Sequence, residues 1–504
     1  MHKKIKAFIQ PTILYSLLSV GVALFYWCSR LINLTIIPIF TDEAIYLRWG
    51  QIADSDPRWR FISLIDGKQP LLIWLFLPAF KLISDPLVAG RIVSVIAGFV
   101  GMTGLMIFSY ILLRSKKAVL IAGLLYILMP FFVVYDRLAI YDALLAAISI
   151  WSLLFTYLLA KTLRLDVALI LGTIIGAGLL TKSSALFFLL LLPVTLLLMN
   201  WKMKRKLTQF LTWAGVVLAV LVQSQIYNSI LLLSEFRHNI GLKNLQFIYS
   251  FSEFMVSPLV HTGGNLRGLT TWLVTYFTWP FAVLVVISVV WHIRTRWREG
   301  LFFLSFFAIP YLALAFFGKI IYPRFLLFML PPLLISVILF THHLLSHKHL
   351  SKITFVIIGI IAIPLVLFDY ALLTDPVHAP LPLADRQQFI NDWPAGYGIA
   401  EVVSYLKEEA KKGPIVIGTD GTFGLYPMAL ELYLGTDRNV SFKPYWPLNE
   451  FPPDLLADAK TKPTFLLFKE RQDYPSDWPI VLINQYQRGD GPTYLKFFRV
   501  VPKT

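Results

Sequence analysis

Residues able to carry out group-transfer chemistry recur at the short turns between long apolar runs. Asp42 and Glu43 are adjacent carboxylates in Thr41-Asp42-Glu43-Ala44-Ile45-Tyr46, a little beyond the apolar run Ile13 to Trp27. Lys68 stands in Gly67-Lys68-Gln69-Pro70-Leu71-Leu72-Ile73-Trp74. Asp136, Arg137 and Asp142 fall in Tyr135-Asp136-Arg137-Leu138-Ala139-Ile140-Tyr141-Asp142. Lys182 follows Thr181, and Lys319, Tyr322 and Arg324 lie in Gly318-Lys319-Ile320-Ile321-Tyr322-Pro323-Arg324-Phe325. A carboxylate can take the proton of an attacking hydroxyl, and Lys and Arg can stabilise a departing phosphate as its charge grows. Singly, each has a plain explanation: acids suit a helix N-terminus, and a lone Lys or Arg at a span end snorkels. Both signs recurring at so many turns point instead to a shared polar cavity.

The elements that must position these residues are membrane helices. The chain is 57% hydrophobic and 15% charged, against roughly 25% charged in soluble proteins, and its mean hydropathy is +0.68. Its apolar runs are long and uninterrupted, which indicates helices rather than the alternating pattern of a membrane barrel. A window of roughly 20 residues gives about eleven spans, centred near Ser19, Gly98, Leu125, Ile150, Ile174, Leu191, Val217, Ala282, Ala308, Leu334 and Ile361. No small-residue cleavage site follows the first run, so it is expected to stay as a helix.

The net charge of +16 invites a nucleic-acid reading, which its distribution opposes. Lys3/Lys4/Lys6, Arg114/Lys116/Lys117, Lys161/Arg164, Lys202/Lys204/Arg205/Lys206, Arg294/Arg296/Arg298 and Lys348/Lys352 fall in every second loop, as the positive-inside rule requires. This places the N-terminus in the cytoplasm and the C-terminus outside in a multi-pass cell-membrane protein. The expected partners are membrane lipids, with no nucleic acid. Cys28 is the only cysteine, so disulfides and thiolate zinc sites are excluded.

Charge, Pro and Gly rise at Asp375-Pro376. Beyond it, Ile399 to Lys411 has a helical period ending in Lys-Lys-Gly. Ile415 to Ile417, Phe465 to Phe468, Ile480 to Ile483 and Leu495 to Phe498 read as strands. The expected architecture is a polytopic α-helical membrane domain over 1–371, with outer loops 33–86 and 231–269, and a small extracytoplasmic α/β domain over 372–504. His238, His261 and Glu253 in the second loop are weak candidates for a divalent metal, since their spacing matches no standard ligand pattern.

On this topology the unusual charges gather at the outer face, where a lipid-linked sugar phosphate would present its phosphate. A transporter or lipid-carrier flippase is the main alternative, but it should place ionisable residues near the bilayer midplane. Here the span interiors are nearly free of them.

These segments resemble the GT-C superfamily of polytopic glycosyltransferases, in particular the protein O-mannosyltransferase and aminoarabinose-transferase group (glycosyltransferase families 39 and 83). Asp42-Glu43-Ala44-Ile45-Tyr46 fits the group's Asp-Glu pair followed by Ala and an aromatic. Lys68-Gln69-Pro70-Leu71 fits a Lys-Pro-Pro-Leu segment, with Gln69 in place of one Pro. Arg91 fits the Arg that opens the second span, and Arg137 and Asp142 the second outer turn. Gly178-Leu179-Leu180-Thr181-Lys182 fits a Gly-Leu-x-x-Thr-Lys segment one residue short, with Ser183-Ser184 where Gly-Pro usually follows. Tyr322-Pro323-Arg324-Phe325 resembles a late Arg-Tyr segment.

The resemblance implies inverting transfer from a polyprenyl-phosphate (dolichyl- or undecaprenyl-phosphate) sugar to a hydroxyl on a protein, lipid or glycan acceptor, at the outer face. Asp42 would be the general base. Glu43, about 100° further round a helix, would position sugar or acceptor. Lys68, Arg137, Lys182, Arg324 and Tyr322 would contact the donor phosphate, and Asp142 would bind sugar or orient Arg137.

Overall fold

A computed structural model of the chain describes residues 2–199, 201, 205–257, 259–347 and 351–502, without the side chains of 2–14, 16 and 351. Lys202, Lys204 and Lys348 of the basic clusters lie outside the described residues, as do the side chains of Lys3, Lys4 and Lys6. Apolar runs rich in Leu, Ile and Phe satisfy their own backbone groups by coiling into helices, one of the two solutions available in hydrocarbon. Among the described residues five helices are long and apolar enough to cross a membrane: Pro86–Leu113, Tyr141–Thr162, Lys206–Leu233, Trp297–Phe317 and Lys352–Thr374. Two pairs, Thr262–Phe277 with Trp279–Thr295 and Pro323–Met329 with Pro331–Ser346, qualify together but are bent by 107° and 55°, so the count reaches seven if each pair is one span.

Shorter apolar helices run Leu17–Leu31, Leu71–Leu82, Leu165–Leu179 and Ser183–Leu198. The centres expected from hydropathy fall within helices, except Leu191, which joins the short helix Leu186–Leu190 to the 3-10 helix Leu192–Leu198. Reaching about eleven requires counting three of these, Leu17–Leu31, Leu165–Leu179 and Ser183–Leu198, together with the helix Lys116–Ile127 that holds Leu125; Leu71–Leu82 falls within the loop expected over 33–86. Proline explains both bends: Pro280 and Pro331 lie in the first turn of the second helix of each pair, where a ring without N–H cannot continue the helix before it. Along Lys352–Thr374, Phe355, Val356, Ile360, Ile363 and Leu367 are exposed, the surface of a helix whose solvent is lipid.

Contacts divide the chain into two units. The first comprises 1–32, 61–72 and 92–372. In it Leu165–Leu179 packs on Lys206–Asn228 through Gly172 and Gly176, where an added Cβ would run into Gln223 and Tyr227. Small residues four apart let membrane helices approach closely. The same unit encloses an ion pair of Arg30 and Asp136, 3.3 Å apart with both side chains wholly buried. Tyr26 and Tyr126 donate to the Asp136 oxygens at 3.3 and 3.4 Å, and Arg30 also donates to Ile127 O at 3.1 Å. The expectation had Asp136 at the polar outer turn beside Arg137. Its partners instead make it an interior group, and Gly98 leaves the space, since a Cβ there would overlap the Tyr26 hydroxyl and the carboxylate.

The second unit comprises 33–60, 73–91 and 373–504, so most of the loop expected over 33–86 groups with the C-terminal residues rather than with the apolar helices. Its sheet has strands β1 (Ile415–Asp420), β2 (Val440–Tyr445), β3 (Thr464–Phe468), β4 (Ile480–Gln487) and β5 (Tyr494–Val500) in the order β2-β1-β3-β5-β4. β1 is parallel to β2 and β3, while β5 is antiparallel to β3 and β4. β1 and β3 are buried along their whole length, the pattern of parallel strands covered on both faces. The helix Ile399–Lys412 ends at Gly413, with φ at 151°, a conformation glycine adopts without a Cβ clash.

Candidate active site

The helix Thr41–Ser55 begins at an extended Phe40 and puts its two acids on different faces. Glu43 is wholly buried and Asp42 half-exposed, the outcome of the rotation between successive helical residues. Arg91, in the second turn of Pro86–Leu113, donates from Nε to Glu43 Oε1 at 2.8 Å and from Nη2 to Oε2 at 2.7 Å. Such a bidentate fork suits a carboxylate better than any lysine could. The remaining donors of Arg91 reach Leu34 O and Ile37 O at 2.8 Å and Pro38 O at 3.2 Å. Glu43 Oε2 also accepts from Phe40 N at 3.4 Å. Glu43, expected to touch sugar or acceptor, is thus committed to a buried pair that fixes both the loop before the helix and the helix itself.

The same helix is fastened to the C-terminal part of its unit. Thr41 N donates to Pro394 O at 3.0 Å, Phe40 pairs with Ala395 as an antiparallel bridge, and the Phe40 and Phe389 rings meet at 4.8 Å. Further along, Arg48 pairs with Glu431 at 3.0 Å and Gln51 donates to Leu432 O at 2.9 Å. No local pattern in the sequence announces these contacts, which span more than three hundred residues.

In the first unit three turns converge. Lys182 Nζ lies 2.7 Å from Asp142 Oδ1, with 23% and 5% of the side chains exposed, and 4.6 Å above the Phe325 ring. Arg324 lies 4.8 Å over Tyr322 and 6.0 Å over Phe325, so cations from two segments share the Phe325 aromatic face. Tyr141 donates to Gln69 O at 2.9 Å, and Gln69 Nε2 donates to Ser183 Oγ at 2.8 Å. Leu71 N completes the seam on Leu180 O at 3.0 Å. Gln69 and Ser183, the two departures from the family pattern, therefore bond to each other and link the turns that carry Lys68, Asp142 and Lys182. Lys68 itself lies 5.2 Å over the Phe247 ring, and Arg137 donates to Ile32 O at 2.9 Å.

The weak metal candidates do not assemble. Among the described residues no three His, Cys, Asp or Glu side chains form a group that could hold a metal ion. His238 Nδ1 faces Glu235 O at 3.0 Å, and His261 stacks on Tyr249 at 5.2 Å. Glu253 is taken by Lys319 at 2.7 Å and by Ser250 N at 2.7 Å; the hydrogen bond from Lys319 holds its carboxyl down at about 2.

Residues 68–227, which include Lys68, Arg137, Asp142 and Lys182, match the family described as dolichyl-phosphate-mannose-protein mannosyltransferase. The fold matches ArnT from Cupriavidus metallidurans in its apo state, with a TM-score of 0.58 at 13% identity over 98% of each chain. It also matches that protein bound to undecaprenyl phosphate, with a TM-score of 0.61 at 13% identity over 97% of this chain and 98% of that one. A search of curated proteins gives no match. In its fold, and in the segment that carries most of the candidate cations, this chain resembles the GT-C membrane glycosyltransferases.

Proposed function

We propose that the protein is an inverting glycosyltransferase that moves a sugar from a polyprenyl-phosphate donor to a hydroxyl acceptor at the outer face of the cell membrane. The observation that carries this reading is the division of labour in the acidic pair. Glu43 is buried against Arg91, and Asp42 is partly exposed on the first turn of an anchored helix. The acceptor oxygen attacks the anomeric carbon, its proton passes to Asp42, and the bond from that carbon to the phosphate oxygen breaks. The leaving polyprenyl phosphate gains negative charge, which Lys68, Arg137, Lys182 and Arg324 offset, with Tyr322 flanking Arg324. Preorganised cations aimed at developing charge are a large source of rate enhancement. The ArnT of similar fold binds undecaprenyl phosphate, which supports this donor class. Asp142 holds Lys182 in place until the phosphate takes over part of that contact. The orientation and the span count of about eleven belong to the same proposal.

The test is an assay of the purified protein against a panel of polyprenyl-phosphate sugars, with products identified by mass spectrometry. Turnover with at least one donor is expected. No turnover on any donor, with solute uptake into reconstituted vesicles, would favour a transporter. Two site predictions accompany it. Lys182→Met should weaken undecaprenyl phosphate binding by about tenfold or more, since charge-assisted hydrogen bonds contribute about 1.5–3 kcal/mol. Unchanged binding in a titration would remove Lys182 from the donor site. Gln69→Ala and Ser183→Ala should each cost about 0.5–1.5 kcal/mol in donor binding, and the double variant no more than either single one. Additive losses in that cycle would show that the hydrogen bond between them does not act on the site.

A further inference from the structure

The sheet of the second unit has a carboxyl edge at which neighbouring connections part. From the end of β1 the chain turns through Leu425–Leu434 to β2 on one side, and from the end of β3 it proceeds to β4 and β5 on the other. In open α/β sheets ligands bind outside the carboxyl ends of parallel strands at such a switch point. The residues at these ends are unlike those of a solvated loop. β1 ends in Asp420, only 4% exposed, whose carboxyl burial pushes above its ordinary value. β3 is followed by Lys469, whose ammonium lies 4.5 Å over the Trp393 ring and 5.7 Å over the Trp446 ring. Trp446, just past β2, is 62% exposed.

Behind them are two polar groups with incomplete hydrogen bonding. Arg488 is wholly buried; its Nε donates to Ala395 O at 3.2 Å and its Nη2 to Lys469 O at 2.6 Å, while Nη1 meets no acceptor. The Tyr426 hydroxyl, also wholly buried, has no partner either. Buried polar atoms left unpaired are costly, and hydrogen bonds to a hydroxyl-rich ligand would offset that cost. Gly424, in the turn between Asp420 and Tyr426, lies against Thr41, where an added Cβ would come within 3.5 Å of the Thr41 methyl, and the Thr41 N–H is bonded to Pro394 O next to Trp393. The cluster therefore adjoins the turn of helix that presents Asp42.

We propose that the carboxyl ends of β1 and β3, with Trp393, Trp446 and Lys469, form a binding site for a carbohydrate, which serves as the acceptor. A sugar ring has an apolar face to lie on an indole and hydroxyls that can both donate and accept. Those hydroxyls match an ammonium, a guanidinium N–H, a phenol and a carboxyl set around aromatic rings. An extended peptide would be expected along a sheet edge rather than across strand ends, and the buried acid opposes a polyanion. This inference rests on the transferase reading for the word acceptor, but the binding itself does not.

The test uses the full-length protein in detergent on an array of neutral and acidic oligosaccharides, with inorganic pyrophosphate and unmodified peptides as competitors. Wild type is expected to bind a set of neutral glycans. Trp446→Ala and Lys469→Met should each weaken that binding by about tenfold, with unchanged melting temperature, since Trp446 is largely exposed. No glycan binding, binding unaffected by both substitutions, or displacement by pyrophosphate or peptide alone would overturn the proposal. Undecaprenyl phosphate binding by the same preparations reports separately on the transferase reading: its absence alongside intact glycan binding would sink that reading and spare this one.

Discussion

Asp42→Asn should yield a protein that folds, binds undecaprenyl phosphate as wild type does, and transfers sugar about 10²- to 10⁴-fold more slowly, the usual contribution of a positioned general base. The substitution keeps the size and hydrogen-bonding capacity of the side chain, which is half-exposed and so demands little of the surrounding packing. Its cost to the helix is the lost favourable charge at the N-terminus, about 0.3–1 kcal/mol. Asp42→Glu should restore little, because an extra methylene moves the oxygens off the attacking hydroxyl. Initial rates with a saturating donor, set beside a melting curve for each variant, separate chemistry from folding. Wild-type rates in the Asn variant would transfer the base role elsewhere.

Arg91→Ala should be the change most damaging to the segment that leads into the helix Thr41–Ser55, and it acts by a different route. It leaves the buried Glu43 carboxyl without its fork, and removing one partner of a buried ion pair costs about 3–5 kcal/mol. It also releases the carbonyls of Leu34, Ile37 and Pro38. Proteolysis and amide exchange should rise across residues 33–43 while the membrane helices stay protected, and transfer should be lost together with that order. Glu43→Gln keeps the hydrogen-bonding geometry and removes the charge, so it should be milder. Equal protection of the loop in Arg91→Ala and wild type would show that the pair does not hold it.

Local pattern carried much of this fold. The period of Ile399 to Lys411 and the stop at Gly413 located a helix to within a residue, and four of the five strands lay in short apolar runs. β2 is obscured because Pro444 breaks the alternation that runs from Val440 to Lys443. A proline is tolerated there because β2 is an edge strand. The bends at Thr278 and Leu330 were equally hidden, since hydropathy averages over a window and does not register the direction of the axis.

The candidate site was legible as a set of residue types and not as a set of partners. Asp42, Glu43, Arg91, Lys182 and Asp142 all stood out, but Glu43 meets Arg91 across 48 positions and Gln69 meets Ser183 across 114. Such pairings are decided by how helices pack, and spacing in one sequence does not encode them. The same holds for Asp136, whose partner Arg30 lies 106 positions away.

The fastening of Thr41 to Pro394 has a consequence for how the protein is made. A chain emerging from the ribosome presents residue 41 early, and the strand partner for Phe40 only after the last long apolar helix has been translated. Until then the first loop lacks the surface that sets its register, and a half-finished protein holding every candidate cation would be an idle one. On the proposed function, competence for transfer arrives only once the chain is translated past Pro394.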